Sequence, residues 1–112
     1  MNAFKNRIQL MGNLGNDPEI VNLETGKKLA KFSLATNETY KNARGEKVTD
    51  TQWHNVVAWG GVADIIENYC KKGNELMLQG KLTNRSYENA AGEKRYITEV
   101  VAQEVLLIGK KA

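Results

Sequence analysis

A five-stranded Greek-key β-barrel of the OB type, all-β apart from one short helix between its third and fourth strands, is the fold predicted by this sequence of 112 residues. Three observations predict it. Long segments alternate apolar and polar with a period of two. One segment, at 62–70, changes to three- and four-residue spacing. Two polar, glycine-containing stretches, at 41–47 and 89–92, stand where long hairpins turn. An SH3-like barrel has a similar strand count, but a helix of about two or three turns between strands three and four is the OB arrangement. The length suits one domain, residues 1–112, with a real core and no room for a second.

The elements follow in order. Phe4, Asn6, Ile8, Leu10, Gly12 and Leu14 share one parity, opposite Lys5, Arg7, Gln9 and Met11, which makes a half-buried first strand with a basic outer face. Gly15-Asn-Asp-Pro18 breaks it, a brief run at 19–23 follows, and Thr25-Gly26 turns the chain into a long strand at 28–39 whose Ala30, Phe32, Leu34 and Thr36 face the core. The next strand ends at Trp59. Val62, Ala63, Ile66, Tyr69 and Cys70 then form the apolar stripe of a short helix, with Lys71-Lys72 in its last turn and Gly73 after it. Alternation resumes at Leu76, Leu78, Gly80 and Leu82, runs to Tyr87, turns at 89–92 and continues from 94 to about 107. There is no internal repeat, low-complexity tract or linker.

Composition narrows the function classes. Sixteen basic and 13 acidic residues give a net charge of +3, enough for weak attraction to polyanions but no argument alone. No apolar run approaches the roughly 20 residues of a membrane helix, and the N-terminus has no signal-peptide pattern, so a cytoplasmic protein with no membrane partner is expected. That expectation also discounts the sequons at Asn37 and Asn84. Cys70, the single cysteine, has no disulfide partner, and with one histidine a zinc site is out of reach. No P-loop occurs. Gly12-Asn-Leu-Gly15 matches the KH-type GXXG only by accident, because it ends a strand. A Ser-His-Asp arrangement would have to use Ser33 or Ser86, and Asp64 with Glu67 reads as solvated helix surface rather than a metal site. No enzyme, cofactor or metal is expected.

The aromatic residues carry more. Trp53 and Trp59 lie six positions apart in an alternating segment, so both rings point to one face, with uncharged Asn55 and Val57 between them. Alone, two such rings are more often core aromatics than a binding platform, since buried rings are common in small barrels. Tyr40 at the base of the first hairpin and Tyr87 at the base of the second bring four rings among interleaved cations, which is what unpaired bases and their phosphates require. Lys41, Arg44 and Lys47 are either a solvated loop tip or phosphate contacts; Arg85, Lys94 and Arg95 flank the second hairpin on the side of Tyr87 and favour phosphate. Tyr96 fits either face, while Phe4, Phe32 and Tyr69 fall on core sides. His54 points away from Trp53, toward the core or a subunit contact.

Gly12-Asn-Leu-Gly-Asn-Asp-Pro-Glu19, Leu34-Ala-Thr-Asn-Glu-Thr-Tyr40, Gln52-Trp-His-Asn-Val-Val56 and Arg95-Tyr-Ile-Thr-Glu-Val100 together resemble bacterial single-stranded DNA-binding proteins through nearly the whole chain. The resemblance implies a homotetrameric OB-fold protein of the cytoplasm and nucleoid. Such a protein coats single-stranded DNA with little sequence preference during replication, recombination and repair. It implies stacking on Tyr40, Trp53, Trp59 and Tyr87, basic contacts from Arg7, Lys72, Arg85 and Arg95, and a subunit interface at His54. Asn55, Gly61 and Thr83 stand where relatives often carry a basic residue, and Tyr40 and Tyr87 where tryptophan is common, which implies weaker or more salt-sensitive binding. The resemblance also implies a flexible tail with an acidic end that recruits partner proteins. This sequence closes on Lys110-Lys111-Ala112, so recruitment by a tail is not expected. The alternative is a primosomal-type OB adaptor, dimeric, holding a replication protein and binding nucleic acid weakly.

Overall fold

Alternation places the even-numbered side chains of the long strands on one side of the sheet, save in β6 beyond Ala102, where a register shift brings Val105 inward, and curling the sheet around that side makes the core. The computed structural model describes residues 5–108; Phe4, Lys110 and Lys111 lie outside that range. In chain order the elements are β1 (Ile8–Leu14), β2 (Glu19–Asn22), β3 (Lys28–Lys41), β4 (Lys47–Trp59), α1 (Gly60–Tyr69), β5 (Glu75–Glu88) and β6 (Lys94–Leu107). The sheet runs β1-β5-β6-β4-β3-β2, and a second pairing of β1 with β3, at Asn13↔Ala35 and Leu14↔Leu34, closes it. The closed ring therefore contains five strands. The brief segment β2 pairs only with β3, from Glu19↔Lys31 to Asn22↔Lys28, and stays outside the ring.

The closure depends on a bare backbone. A Cβ on Gly12 would lie 2.1 Å from the carbonyl oxygen of Ala35, the residue at which β1 meets β3, so no side chain fits there. Inside, Leu14, Phe32, Leu34, Val56, Leu76, Leu78 and Val100 pack into one core, with Ala63, Ile66 and Cys70 of α1 covering one end. Thr36, expected in the core, sits half-buried at its rim. Leu82 keeps the inward parity but is 41% exposed, because β5 has already left the barrel there.

Tyr69 corrects the sequence reading. Expected on the core side, it is 64% exposed. Ala63, Ile66 and Cys70 define the buried stripe, and Tyr69, one residue and about 100° away from Cys70 around the helix, falls on its flank. The helix ends at once: the Cys70 N–H donates to the Ile66 carbonyl at 3.0 Å, so Lys71 and Lys72 stand beyond the last turn. Asp64 and Glu67 are likewise not free surface. Both accept from Lys28 of β3, at 2.7 and 2.5 Å, and tie the helix to the barrel wall. Among the described residues no helix is long and apolar enough to cross a membrane.

Two hairpins extend beyond the barrel. β3 and β4 pair without interruption from Leu29↔Trp59 to Lys41↔Lys47, and β5 and β6 from Leu76↔Leu107 to Glu88↔Lys94 with one irregularity at Gln79/Gly80. β4 meets β6 over only three pairs, Val56↔Val100 to Ala58↔Ala102, so the two ribbons are free to diverge above that point. Their tips reveal a repeat that the sequence reading missed. Tyr40-Lys-Asn-Ala-Arg-Gly-Glu-Lys47 and Tyr87-Glu-Asn-Ala-Ala-Gly-Glu-Lys94 fold identically. In the first, Asn42 Oδ1 accepts from the backbone N–H groups of Arg44 and Glu46, and its Nδ2 donates to the Glu46 carboxylate. In the second, Asn89 makes the same three bonds with Ala91 and Glu93. Gly45 and Gly92 supply the left-handed backbone, at φ 79° and 82°.

Candidate nucleic-acid interface

The odd-numbered side chains of β3, β4 and β5, and of β6 as far as Val101, make the outer face. Register sets Leu29 opposite Trp59, Lys31 opposite Val57, Ser33 opposite Asn55 and Ala35 opposite Trp53. Trp53 is 63% exposed and Trp59 43%, a large apolar surface left in water at two positions of one wall, with the Asn55 and Val57 rungs between them. On the second ribbon the same parity carries Lys81, Thr83, Arg85 and Tyr87, opposite Val101, Glu99, Ile97 and Arg95. The two ribbons enclose a cleft: Trp59, Val57 and Lys31 line it from one side, Thr83, Arg85, Glu99 and Val101 from the other. Its neighbouring part adds Asn55 and Ile97. Trp53, Trp59 and Tyr87 thus share one face. Tyr40 pairs with Val48 at even positions, which puts it on the reverse face of its hairpin.

Trp53 rests on a seat that sequence reading took for a strand break. A Cβ on Gly15 would meet Trp53 Cζ3 at 2.3 Å, so the indole lies directly over bare backbone. Gly15 is held there by its N–H donating to the Ser33 carbonyl at 2.9 Å, and Asn16 Oδ1 accepts from the Ser33 N–H at 3.0 Å. The glycine and the asparagine together fix a platform for the ring.

The cations divide into occupied and open. Arg85 makes a two-pronged ion pair with Glu99, Nε to Oε1 at 3.0 Å and Nη2 to Oε2 at 3.1 Å. Glu99 is 8% exposed, the only charged residue buried among the described residues. Its hydrogen bonds first, and its charge second, raise the Arg85 pKa above the ordinary arginine value. Arg95 bonds Glu93 at 2.9 Å, Arg7 bonds Gln79, and the Lys94 ammonium lies 5.9 Å from the centre of the Tyr96 ring, which is 73% exposed. Lys72 is exposed; its backbone N–H donates to Asp17. Lys41, Arg44 and Lys47 are exposed with no ion pair among the described residues, and Lys41 stands directly opposite Lys47. Two like charges on facing rungs repel; an anion between them removes that cost.

Lys31 was missed. It is half-buried between the rungs of Trp53 and Trp59, it lines the cleft, and it has no ion pair among the described residues. Its odd parity in a strand whose even side chains are apolar was the available signal. His54 faces away from Trp53, opposite Leu34, with Thr36 Oγ1 3.0 Å from its Nε2. Burial raises the Cys70 thiol pKa. Among the described residues no three His, Cys, Asp or Glu side chains converge as metal ligands.

Comparison with known proteins agrees with this geometry. The pattern described as the Single-strand binding protein family matches residues 5–108. Single-stranded DNA-binding protein 1 of Chlorobaculum tepidum is 41% identical over 95% of this chain and 66% of its own length. Single-stranded DNA-binding protein 1 of Xylella fastidiosa is 41% identical over 97% of this chain and 81% of its own. The chain thus spans just under two thirds of the first relative and four fifths of the second. A solved structure, a Plasmodium falciparum SSB in complex with ssDNA, superposes with a TM-score of 0.85 at 32% identity, over 93% of this chain and 95% of that one.

Proposed function

The chain belongs to the single-strand binding protein family, and from that premise we propose that it binds and coats single-stranded DNA without catalysing a reaction. It would protect the strand during replication, recombination and repair in the cytoplasm. The observation that carries this reading is the exposed pair Trp53 and Trp59 on one wall of a cation-bearing cleft. Bases stack on the rings, phosphates follow Lys31, Lys41, Arg44 and Lys47, and duplex DNA is refused because paired bases present no free faces. Tyr87 extends the platform along the second hairpin, and Tyr40 serves strand that passes around the reverse of the first. Arg7, Lys72, Lys94 and Arg95 reach phosphates at the margins, each after loosening whatever neighbour it now touches.

Assembly as a homotetramer belongs to the same proposal, with His54 near a subunit contact. Its support is an apolar row across the opposite wall, Met11↔Met77↔Leu106, in which Met11 and Leu106 are 53% and 59% exposed. Among the described residues, the edge of β1 from Ile8 to Gly12 also has no strand beside it on the β3 side. The deciding experiment is a titration of intrinsic tryptophan fluorescence with oligo(dT) and with duplex of equal length. Quenching by the single strand alone is expected, and equal or absent quenching refutes the reading.

A further inference from the structure

We propose that the cleft between Trp59 and the Arg85–Glu99 pair takes a nucleobase rather than a phosphate, and that Glu99 is the positioning residue that makes it so. The inference rests on the single-stranded DNA reading and adds which part of the nucleotide enters.

A phosphate site needs uncompensated positive charge. Arg85 has none to offer: two of its nitrogens are held by both oxygens of one carboxylate. That carboxylate belongs to a side chain only 10% exposed, so a departing guanidinium would leave an unpaired charge where water reaches poorly, which is strongly unfavourable. A phosphate brought to Arg85 would also feel the charge of Glu99, whose oxygens lie 3.0 and 3.1 Å from the guanidinium nitrogens. The pair is neutral as a unit, releases no counterion and adds nothing to salt dependence.

A neutral pair still presents polar edges. Arg85 Nη1 carries no bond among the described residues, and each carboxylate oxygen retains accepting capacity. The facing wall is Leu29, Val57 and Trp59, apolar and partly aromatic. Flat apolar surface on one side and donors with acceptors on the other is the complement of a base. Lys31 lines the same cleft and makes no ion pair among the described residues, though Glu19 stands opposite it on β2; the attached phosphate would lie beside it.

The test compares the wild-type protein with Glu99→Gln, the double variant Arg85→Met with Glu99→Gln, and Lys31→Ala. The probes are oligo(dT) and an abasic deoxyribose-phosphate oligomer of the same length, titrated across a salt series. The double variant should weaken oligo(dT) binding by about fivefold or more, with an unchanged salt slope and unchanged affinity for the abasic chain. Lys31→Ala should flatten the slope by about 0.7 on both probes. Glu99→Gln alone releases the Arg85 charge and should steepen the slope by about 0.7, with tighter abasic binding. A double variant that flattens the slope and weakens both probes equally overturns the proposal, as does one that changes neither. If the double variant does not fold, Arg85→Lys decides: a point charge serves a phosphate nearly as well, so unchanged affinity there also overturns the base pocket. Wild-type protein that binds neither probe refutes single-strand binding itself, a different result from any failure of the pocket.

Discussion

Replacing Gly15 with alanine should move one ring and little else. The new methyl would lie 2.3 Å from Cζ3 and 2.9 Å from Cη2 of Trp53, and contact becomes ordinary only at 3.4 Å, so the indole must lift by about 1.1 Å. The residue that yields is a side chain with 63% of its surface in water, free to swing outward. The cost to folding is therefore small, within about 1 kcal/mol, and is partly offset because alanine restricts the unfolded chain by about 0.4 to 1 kcal/mol. For a domain of this size the melting temperature should stay within about 5 °C of the wild type.

Binding should respond differently, because a stacked base is worth about 1 to 3 kcal/mol. Trp53→Ala removes the whole contribution and sets the limit, about 5- to 150-fold in Kd; Gly15→Ala should fall between that limit and the wild type. Affinity is read for every variant, Trp53→Ala included, from the polarisation of dye-labelled oligo(dT), and quenching of Trp53 from intrinsic fluorescence in a Trp59→Phe background, where it is the only indole. Gly61→Ala serves as control, since no atom lies within 4 Å of its added carbon and its backbone is ordinary. Wild-type affinity and quenching in Gly15→Ala, beside a clear loss in Trp53→Ala, would show that the seat does not set the working position of the ring. Wild-type affinity in both would remove Trp53 from the binding surface.

Three further outcomes are expected. Hydrogen bonds from Asp64 and then Glu67 raise the Lys28 pKa above its ordinary 10.5; a raised folded value stabilises fully below the unfolded pKa and is lost as pH rises through the folded one. Lys28→Met should therefore melt below the wild type by a constant margin from pH 7 to 9 and by a margin that shrinks steadily as pH rises above about 10.5 toward the raised folded value, and a margin that does not shrink at all above pH 10.5 contradicts the ion-pair explanation. Burial keeps the Cys70 thiol protonated and covered, so a thiol reagent at neutral pH should label it only as the protein unfolds, and rapid native labelling would place it at the surface. On the proposed assembly, Met11→Asp with Leu106→Asp should lower the mass found by light scattering from that of the proposed tetramer toward smaller species while leaving the monomer fold intact by circular dichroism; an unchanged tetramer mass would move the subunit contact elsewhere, and a monomer mass in the wild type would refute the assembly.

The barrel was legible because its strands alternate without ambiguity. The inward positions of β3, Ala30, Phe32 and Leu34, follow from parity alone, as does the shared face of Trp53 and Trp59. What escaped depends on contacts between segments distant in sequence. Glu99 is two positions from Val101 on an unremarkable strand, and only the β5–β6 register brings it beside Arg85, 14 residues away. Gly15 becomes a seat only when the β1 end folds over β4. Tyr69 was misplaced because a ten-residue helix, with its last apolar positions adjacent, leaves the stripe uncertain by one residue. The paired octapeptides were visible in the letters; their meaning as identical hairpin tips required the Asn42 and Asn89 hydrogen bonds.

Those twin tips separate geometry from charge. The same asparagine bonds and the same left-handed glycine shape both ends, so the hairpins have equivalent local frames. Their contents are opposite. In the first, Lys41 faces Lys47 and Arg44 lies in the turn, three cations against the single carboxylate of Glu46, which is bonded to the neutral Asn42 amide and, among the described residues, to no cation. In the second, Glu88 faces Lys94, Arg95 is bonded to Glu93, and the turn carries Ala91 in place of arginine. One hairpin is an open electrostatic arm and the other already satisfies its charges. With Arg85 likewise neutralised by Glu99, the cations around the cleft without an ion pair among the described residues are mainly Lys31, Lys81 and those of the first hairpin. On the proposed reading the strand is therefore held by its phosphates along β3 and β4 and by its bases against Trp53, Trp59 and the β5–β6 wall, a polarity that neither net charge nor the count of arginines reveals.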